Sequence, residues 1–138
     1  MASPLLEMRG IDKRYPGVDA LKQVDLTLEA GEVLALMGEN GAGKSTLMKI
    51  LGGAHRPDDG EIRIAGQTIT ISSPQQARSL GIAMIYQEFN LVPGLSAAEN
   101  VFLGQEILKH GVIQHVAQRE HTPKLLTELG MGFDPDTP

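Results

Sequence analysis

The sequence predicts an α/β fold in which a parallel strand delivers a phosphate-binding loop to the start of a helix. Three observations lead there. Residues 33–37 (Val33, Leu34, Ala35, Leu36 and Met37) form an apolar run of the length expected for a strand buried on both faces. Directly behind it stands Gly38-Glu39-Asn40-Gly41-Ala42-Gly43-Lys44-Ser45-Thr46. Its glycines let the backbone curl so that successive N–H groups point at an anion, Lys44 adds positive charge, and Ser45 offers a hydroxyl to a magnesium ion. Residues 44–51 then read as a helix, which Gly52 and Gly53 stop. The plainer reading is a glycine-rich turn that binds nothing, with Lys44 solvated. A cation in the first turn of a helix opposes the helix dipole, however, and calls for a bound anion. The loop therefore predicts a nucleoside triphosphate.

Composition bounds the rest. The chain has 138 residues, of which 41% are hydrophobic, enough for one domain with a modest core. No apolar stretch approaches the ~20 residues needed to span a bilayer. The start Met1-Ala2-Ser3-Pro4 lacks the charged and apolar regions of a signal peptide, so a soluble, non-exported chain is expected. The absence of cysteine removes a disulfide framework and a thiolate zinc site, and suits a reducing cytoplasm. A net charge of -5 without a basic stripe argues against nucleic acid as a partner.

Before the loop, residues 5–11 and 24–28 read as half-buried strands, the second by strict alternation of apolar and polar residues. Tyr15-Pro16-Gly17 is a turn between them, with Tyr15 at the edge of a small antiparallel layer. After the loop helix, Pro57-Asp58-Asp59-Gly60 reads as a turn, residues 61–64 as a strand, Gly66-Gln67 as a tight reversal and residues 68–71 as the return strand. Ser73-Pro74-Gln75-Gln76 has the grammar of a helix start, with Ser73 as N-cap, Pro74 at the first helical position and Gln76 closing a capping box. Gly81 ends that helix. Residues 82–86 are apolar enough for a second strand buried on both faces, with Gln87 at its carboxyl end, where ligands collect in open parallel sheets.

Ser96-Ala97-Ala98-Glu99 is a further capping box and opens a helix through Leu103, which Gly104 breaks. Beyond it, Thr122-Pro123 could start a helix, or Pro123 could lie inside a longer one beginning near His115; the longer helix is favoured. Residues 133–138 read as a proline-rich loop. Several eye-catching residues take the plain reading. His115 and His121 have no carboxylate partner at ligand spacing and read as solvated rather than metal-binding. Asp58, Asp59 and Glu61 read as a solvated acidic cluster, and the six methionines as core filler.

Four segments together carry a family resemblance: Tyr15-Pro16-Gly17-Val18, the run from Gly38 to Lys49, Ile85-Tyr86-Gln87-Glu88, and Ala98-Glu99-Asn100-Val101-Phe102-Leu103-Gly104. With them the chain resembles the nucleotide-binding subunit of ATP-binding cassette transporters, and within these the monosaccharide importers of the ribose, galactose and xylose type. The resemblance covers nearly the whole chain. It implies a P-loop NTPase of this cassette type: an incomplete core parallel sheet, an amino-terminal antiparallel β layer and the start of a helical subdomain. The first two would occupy residues 1–90 or so and the last about 91–138. ATP and magnesium are the implied cofactors. The implied catalytic residues are Lys44 and Gln87.

Residue by residue, the resemblance implies that Tyr15 stacks on adenine, where a ring face suits a planar base. Gly38, Glu39, Asn40, Gly41, Ala42 and Gly43 would wrap the phosphates. Lys44 would hold the beta and gamma phosphates, Thr46 the alpha-phosphate side and Ser45 the metal. Gln87 would reach the metal and the attacking water and signal to the membrane subunit. The implied partners are an integral membrane permease, a second nucleotide-binding domain and, indirectly, an external sugar-binding protein. The implied place is the cytoplasmic face of a bacterial inner membrane. A soluble cassette ATPase outside transport and a noncatalytic nucleotide-binding module are the alternatives; the segment from Gln87 to Gly104 matches the importer pattern.

The family's hydrolytic machinery also includes a signature segment of the Leu-Ser-Gly-Gly-Gln kind, an apolar strand ending in Asp-Glu, an aspartate loop and a switch histidine. None occurs among these 138 residues. After Gln87 no run of four apolar residues ends in an acid, so no metal-holding aspartate or glutamate base is present. The expectation is an amino-terminal piece that binds nucleotide at most. Because the family places further strands between the two buried ones, these edges are expected to make the piece marginally stable or self-associating.

Overall fold

A computed structural model of the chain describes residues 3–86, 91–132 and 134–137. The chain divides into two units, Met1–Ile85 and Tyr86–Pro138.

In the first unit, β1 (Leu6–Tyr15) and β2 (Val18–Leu28) form a hairpin around Pro16 and Gly17. With β3 (Asp59–Ile64) and β4 (Gln67–Ile69) they make an antiparallel sheet of order β2-β1-β3-β4. Because β1 is central, Met8 meets Leu26 on one side and Ile62 on the other. Simple alternation would turn Ile11 away from Met8. A bulge prevents that. The register shifts between Met8 and Ile11 in the β2 pairing, and the Gly10 N–H leaves the ladder to donate to Asp25 Oδ1 at 2.6 Å. The slip brings Ile11 into the same core as Leu6, Met8, Leu21, Leu26 and Ile62.

The helix behind the glycine loop, α1 (Lys44–Leu51), buries Leu47 and Ile50 in this core, three apart on one face. Burying such a side chain stabilises by about 1.5–3 kcal/mol, which anchors the helix and hence the loop ahead of it. The helix α2 (Pro74–Ser79) begins as its sequence predicts: Ser73 Oγ accepts the Gln76 N–H at 3.2 Å and Pro74 takes the first position. The Gln76 side chain does not close the box. Its Oε1 accepts from the Ser72 N–H and hydroxyl at 2.9 and 2.6 Å, and its Nε2 donates to Thr70 O at 2.8 Å. It thereby clamps the segment leading into the helix.

Two expected strands do not form. Among the described residues, 33–37 and 82–86 pair with no strand, and Val33, Met37 and Ile85 are 97%, 92% and 99% exposed. An apolar run favours burial, but a strand exists only through hydrogen bonds to a neighbour. Among the described residues the first unit's strands are all engaged in the antiparallel sheet. The α/β class holds, while the parallel layer is not assembled among the described residues.

Smaller corrections follow from local chemistry. The β3–β4 reversal is Ala65-Gly66, not Gly66-Gln67, with φ of 48° and 79° as a two-residue hairpin turn requires. β3 starts at Asp59, inside the expected turn. Asp58 and Asp59 are exposed and Glu61 half-buried, and both Asp58 and Glu61 are paired. The Asp58 carboxylate accepts from Lys13 Nζ and the Arg14 N–H, each at 2.7 Å, and these bonds hold it below the ordinary carboxylate range. Glu61 meets Arg63 at 2.7 Å. Of the methionines, Met8 is fully buried, whereas Met37 and Met131 are exposed and do not fill a core.

The second unit holds α3 (Ala97–Val101), the short hairpin β5 (Leu108–Lys109) and β6 (Val112–Ile113), and α4 (His115–Glu128). The capping box of α3 closes in both directions: Ser96 N–H donates to Glu99 Oε2 at 2.8 Å, and Glu99 N–H to Ser96 Oγ at 3.3 Å. Bonds from the Ser96 N–H and hydroxyl hold Glu99 below the ordinary carboxylate range. The first two N–H groups of α3 find the carbonyls of Thr137 and Pro135, at 2.7 and 2.9 Å. Arg119 pairs with Asp136 in the same loop. α3 ends at Val101 with Phe102 as its C-cap, two residues short of the expected Leu103.

α4 runs the longer course, with Pro123 inside it. The β5–β6 hairpin was not expected. Its signal is the pair His110-Gly111, both at positive φ, between short apolar stretches. His115 is exposed, and the fold also brings Glu99 Oε1 to 4.0 Å from its Nδ1, a carboxylate that linear spacing did not reveal.

Candidate functional site

The glycine loop is built to present unsatisfied donors. A helix start leaves its first N–H groups without intrahelical partners. α2 and α3 cap theirs with Ser73 and Ser96. α1 has Gly43 at its N-cap, no side-chain cap and no acidic residue in its first turn. α4 also lacks a side-chain cap, but among the described residues only at α1 do a glycine loop and a lysine converge.

Lys44 Nζ donates to Gly38 O at 2.5 Å and Glu39 O at 2.8 Å, folding its ammonium back over the loop mouth. The Ala42 N–H donates to Glu39 O at 3.2 Å, a turn within the loop. Gly41 and Gly43 take φ of 89° and 83°, conformations that an L side chain rarely adopts. Ser45 is exposed and Thr46 half-buried, while Asn40 and Glu39 are exposed at the tip. The loop thus combines an ammonium, uncapped helix N–H groups and the neighbouring hydroxyls of Ser45 and Thr46, a donor set that fits a polyphosphate with its metal.

Tyr15 ends β1 and is 38% exposed. Its ring lies 6.0 Å from that of His55 at 74° between planes, and Lys13 Nζ stands 5.8 Å from its centroid. The sequence reading missed both neighbours: His55 is 40 positions away with no local pattern to join it to Tyr15, and Lys13, two residues back on the same strand, belongs to no motif. It also missed Ala20, whose carbonyl lies against Gly43. Gln87 lies outside the described residues.

Residues 21–138 match the sequence profile of the family described as ABC transporter. The chain belongs to the ABC transporter family. Among curated ABC relatives it is 57% identical over 132 residues to the ribose import ATP-binding protein RbsA 1 of Rubrobacter xylanophilus, covering 96% of this chain and 26% of the relative. It is 47% identical over 136 residues to the arabinose import ATP-binding protein AraG of Pectobacterium atrosepticum, covering 99% of this chain and 27% of the relative. The chain thus spans about a quarter of the length of these relatives. Among solved ABC structures it matches the dimeric post-hydrolysis state of the ATP-binding cassette MJ0796 bound to ADP and Pi, with TM-score 0.72 and 26% identity over 96% of this chain and 60% of that one. The antiparallel sheet, glycine loop and flanking helices are therefore elements of an ABC cassette.

Proposed function

We propose that this chain is the amino-terminal part of the ATP-binding subunit of a sugar-import transporter, and that its own residues hold Mg-ATP. The observation that carries the reading is the convergence of the Lys44 ammonium and the uncapped start of α1 on the loop 38–43. Two import ATP-binding proteins at 57% and 47% identity support the transport role.

In this reading the loop N–H groups and Lys44 bind the beta and gamma phosphates, and Thr46 faces the alpha-phosphate side. Ser45 and Gln87 are the residues that would hold magnesium, which when bound neutralises phosphate charge and polarises the bond to be broken. Tyr15 offers its ring to the base. Lys44 acts electrostatically: its charge opposes the negative charge that develops on the transferring phosphoryl oxygens.

Residues 1–90 or so supply the β layer and loop core, and about 91–138 begin a helical subdomain. These 138 residues bind without turnover, because no acid after Gln87 ends an apolar run from which it could orient water. The whole protein hydrolyses ATP as a pair of nucleotide-binding domains, works peripherally at the cytoplasmic face of a bacterial inner membrane against a permease, and receives sugar by way of an external binding protein.

Calorimetric titration of the chain with Mg-ATP tests the core of the proposal. Binding should be present and fall at least tenfold in Lys44→Ala, and equal affinities would remove the loop from the site. Disrupting the encoding gene should abolish ATP-dependent uptake of a monosaccharide; unchanged uptake of every such sugar would remove the transport role.

A further inference from the structure

Tyr15 is tied to the far end of the loop helix. His55, half-exposed, follows α1 by four residues. Its N–H and that of Ala54 both donate to Lys49 O, at 3.2 and 2.9 Å, so its backbone is fixed by the closing turn of α1. From there its ring meets Tyr15 at a distance and angle within the favourable edge-to-face range. Three residues later Asp58 fastens the same segment to β1, accepting from Lys13 Nζ and the Arg14 N–H and donating its own N–H to Asp12 O at 2.9 Å. Lys13, so held, is the cation beside the Tyr15 ring.

Packing alone is a poor account of this cluster. Tyr15 and His55 are outside the core cluster, and both remain partly open to solvent. What the pair does supply is orientation: a ring braced at nearly a right angle cannot turn freely. We propose that His55 is a positioning residue for the nucleotide base, fixing the plane of the Tyr15 ring on which the base stacks. It thereby links the base end of the site to the helix whose other end carries the phosphate loop. The inference rests on the reading of Tyr15 as the base platform. A platform already oriented loses less freedom when the ligand arrives, and removing the brace weakens binding of a ligand that has a base but not of one that lacks it.

The test compares Mg-ATP with Mg-tripolyphosphate, titrated by calorimetry against the unsubstituted chain, His55→Ala, His55→Phe and Tyr15→Ala. His55→Ala should weaken Mg-ATP binding about three- to tenfold, leave tripolyphosphate unchanged, and be rescued in His55→Phe, which keeps an aromatic edge. Loss of affinity for both ligands in His55→Ala, or no rescue by His55→Phe, would overturn the positioning role. If Tyr15→Ala weakens Mg-ATP while His55→Ala does not, the platform stands and the brace falls. If Tyr15→Ala leaves Mg-ATP unchanged, the platform reading fails and this inference with it. Failure of the unsubstituted chain to bind Mg-ATP would overturn both.

Discussion

Gly43 rests directly against Ala20: a β-carbon at position 43 would stand 2.4 Å from the Ala20 carbonyl oxygen and 2.7 Å from Leu21 Cδ2. The last glycine of the loop is thus also the point where the loop is seated on β2. Gly41, at a similar positive φ, has open space where its β-carbon would be. Gly41→Ala should therefore cost only the left-handed penalty, about 1 kcal/mol, whereas Gly43→Ala adds a clash with backbone and should cost about 2 kcal/mol or more. Urea unfolding of the two variants checks this. Equal destabilisation would mean that the seating on Ala20 carries no weight.

The bonds that Asp58 accepts from Lys13 and Arg14 depress its pKa, and the sign of the consequence is fixed. A carboxylate whose folded pKa lies below its unfolded one adds stability that is fully present above the unfolded pKa and lost as pH falls through the folded one. Asp58→Asn should therefore destabilise the chain at neutral pH, and the gap to the unsubstituted protein should close as pH drops through the carboxylate range. A gap independent of pH, followed by denaturant unfolding at each pH, would contradict the assignment.

α4 starts poorly. Its N-cap, Gln114, makes no cap hydrogen bond; its Nε2 instead donates to Val112 O at 3.0 Å. Aspartate there would accept an orphan N–H and place negative charge at the positive end of the helix dipole. Gln114→Asp should stabilise the helix by about 0.5–1 kcal/mol. The check is the melting temperature followed by circular dichroism in the helical band, and an unchanged or lower value would refute it.

What was legible in the sequence was whatever is decided within a few residues. The caps at Ser73 and Ser96, the helix from Lys44 to Leu51 and the β1–β2 turn depend on neighbours in the chain, and the structure forms them where their signals stand. What depends on distant partners was not legible. The pairing of His55 with Tyr15, of Asp58 with Lys13 and of Glu99 with His115 arises when separate elements meet. The runs at 33–37 and 82–86 fail for the same reason: apolarity predicts burial, but only a neighbouring strand supplies the hydrogen bonds. Within the site, the loop was readable because one continuous stretch builds it, whereas the brace behind Tyr15 was not.

Those two runs lead to the last prediction. Val33 and Met37 are almost fully exposed, and residues 33–37 contain neither charge nor proline, the usual protections of an unpaired strand. Apolar surface of this kind on a strand-prone segment favours pairing with another copy. The chain is expected to self-associate through residues 33–37, and Val33→Lys should lower its weight-average mass in sedimentation at equal concentration. Because Val33 is 97% exposed, the same substitution should change unfolding stability by no more than about 0.5 kcal/mol. A chain that stays monomeric at high micromolar concentration, or association untouched by Val33→Lys, would show that this segment is not the sticky edge.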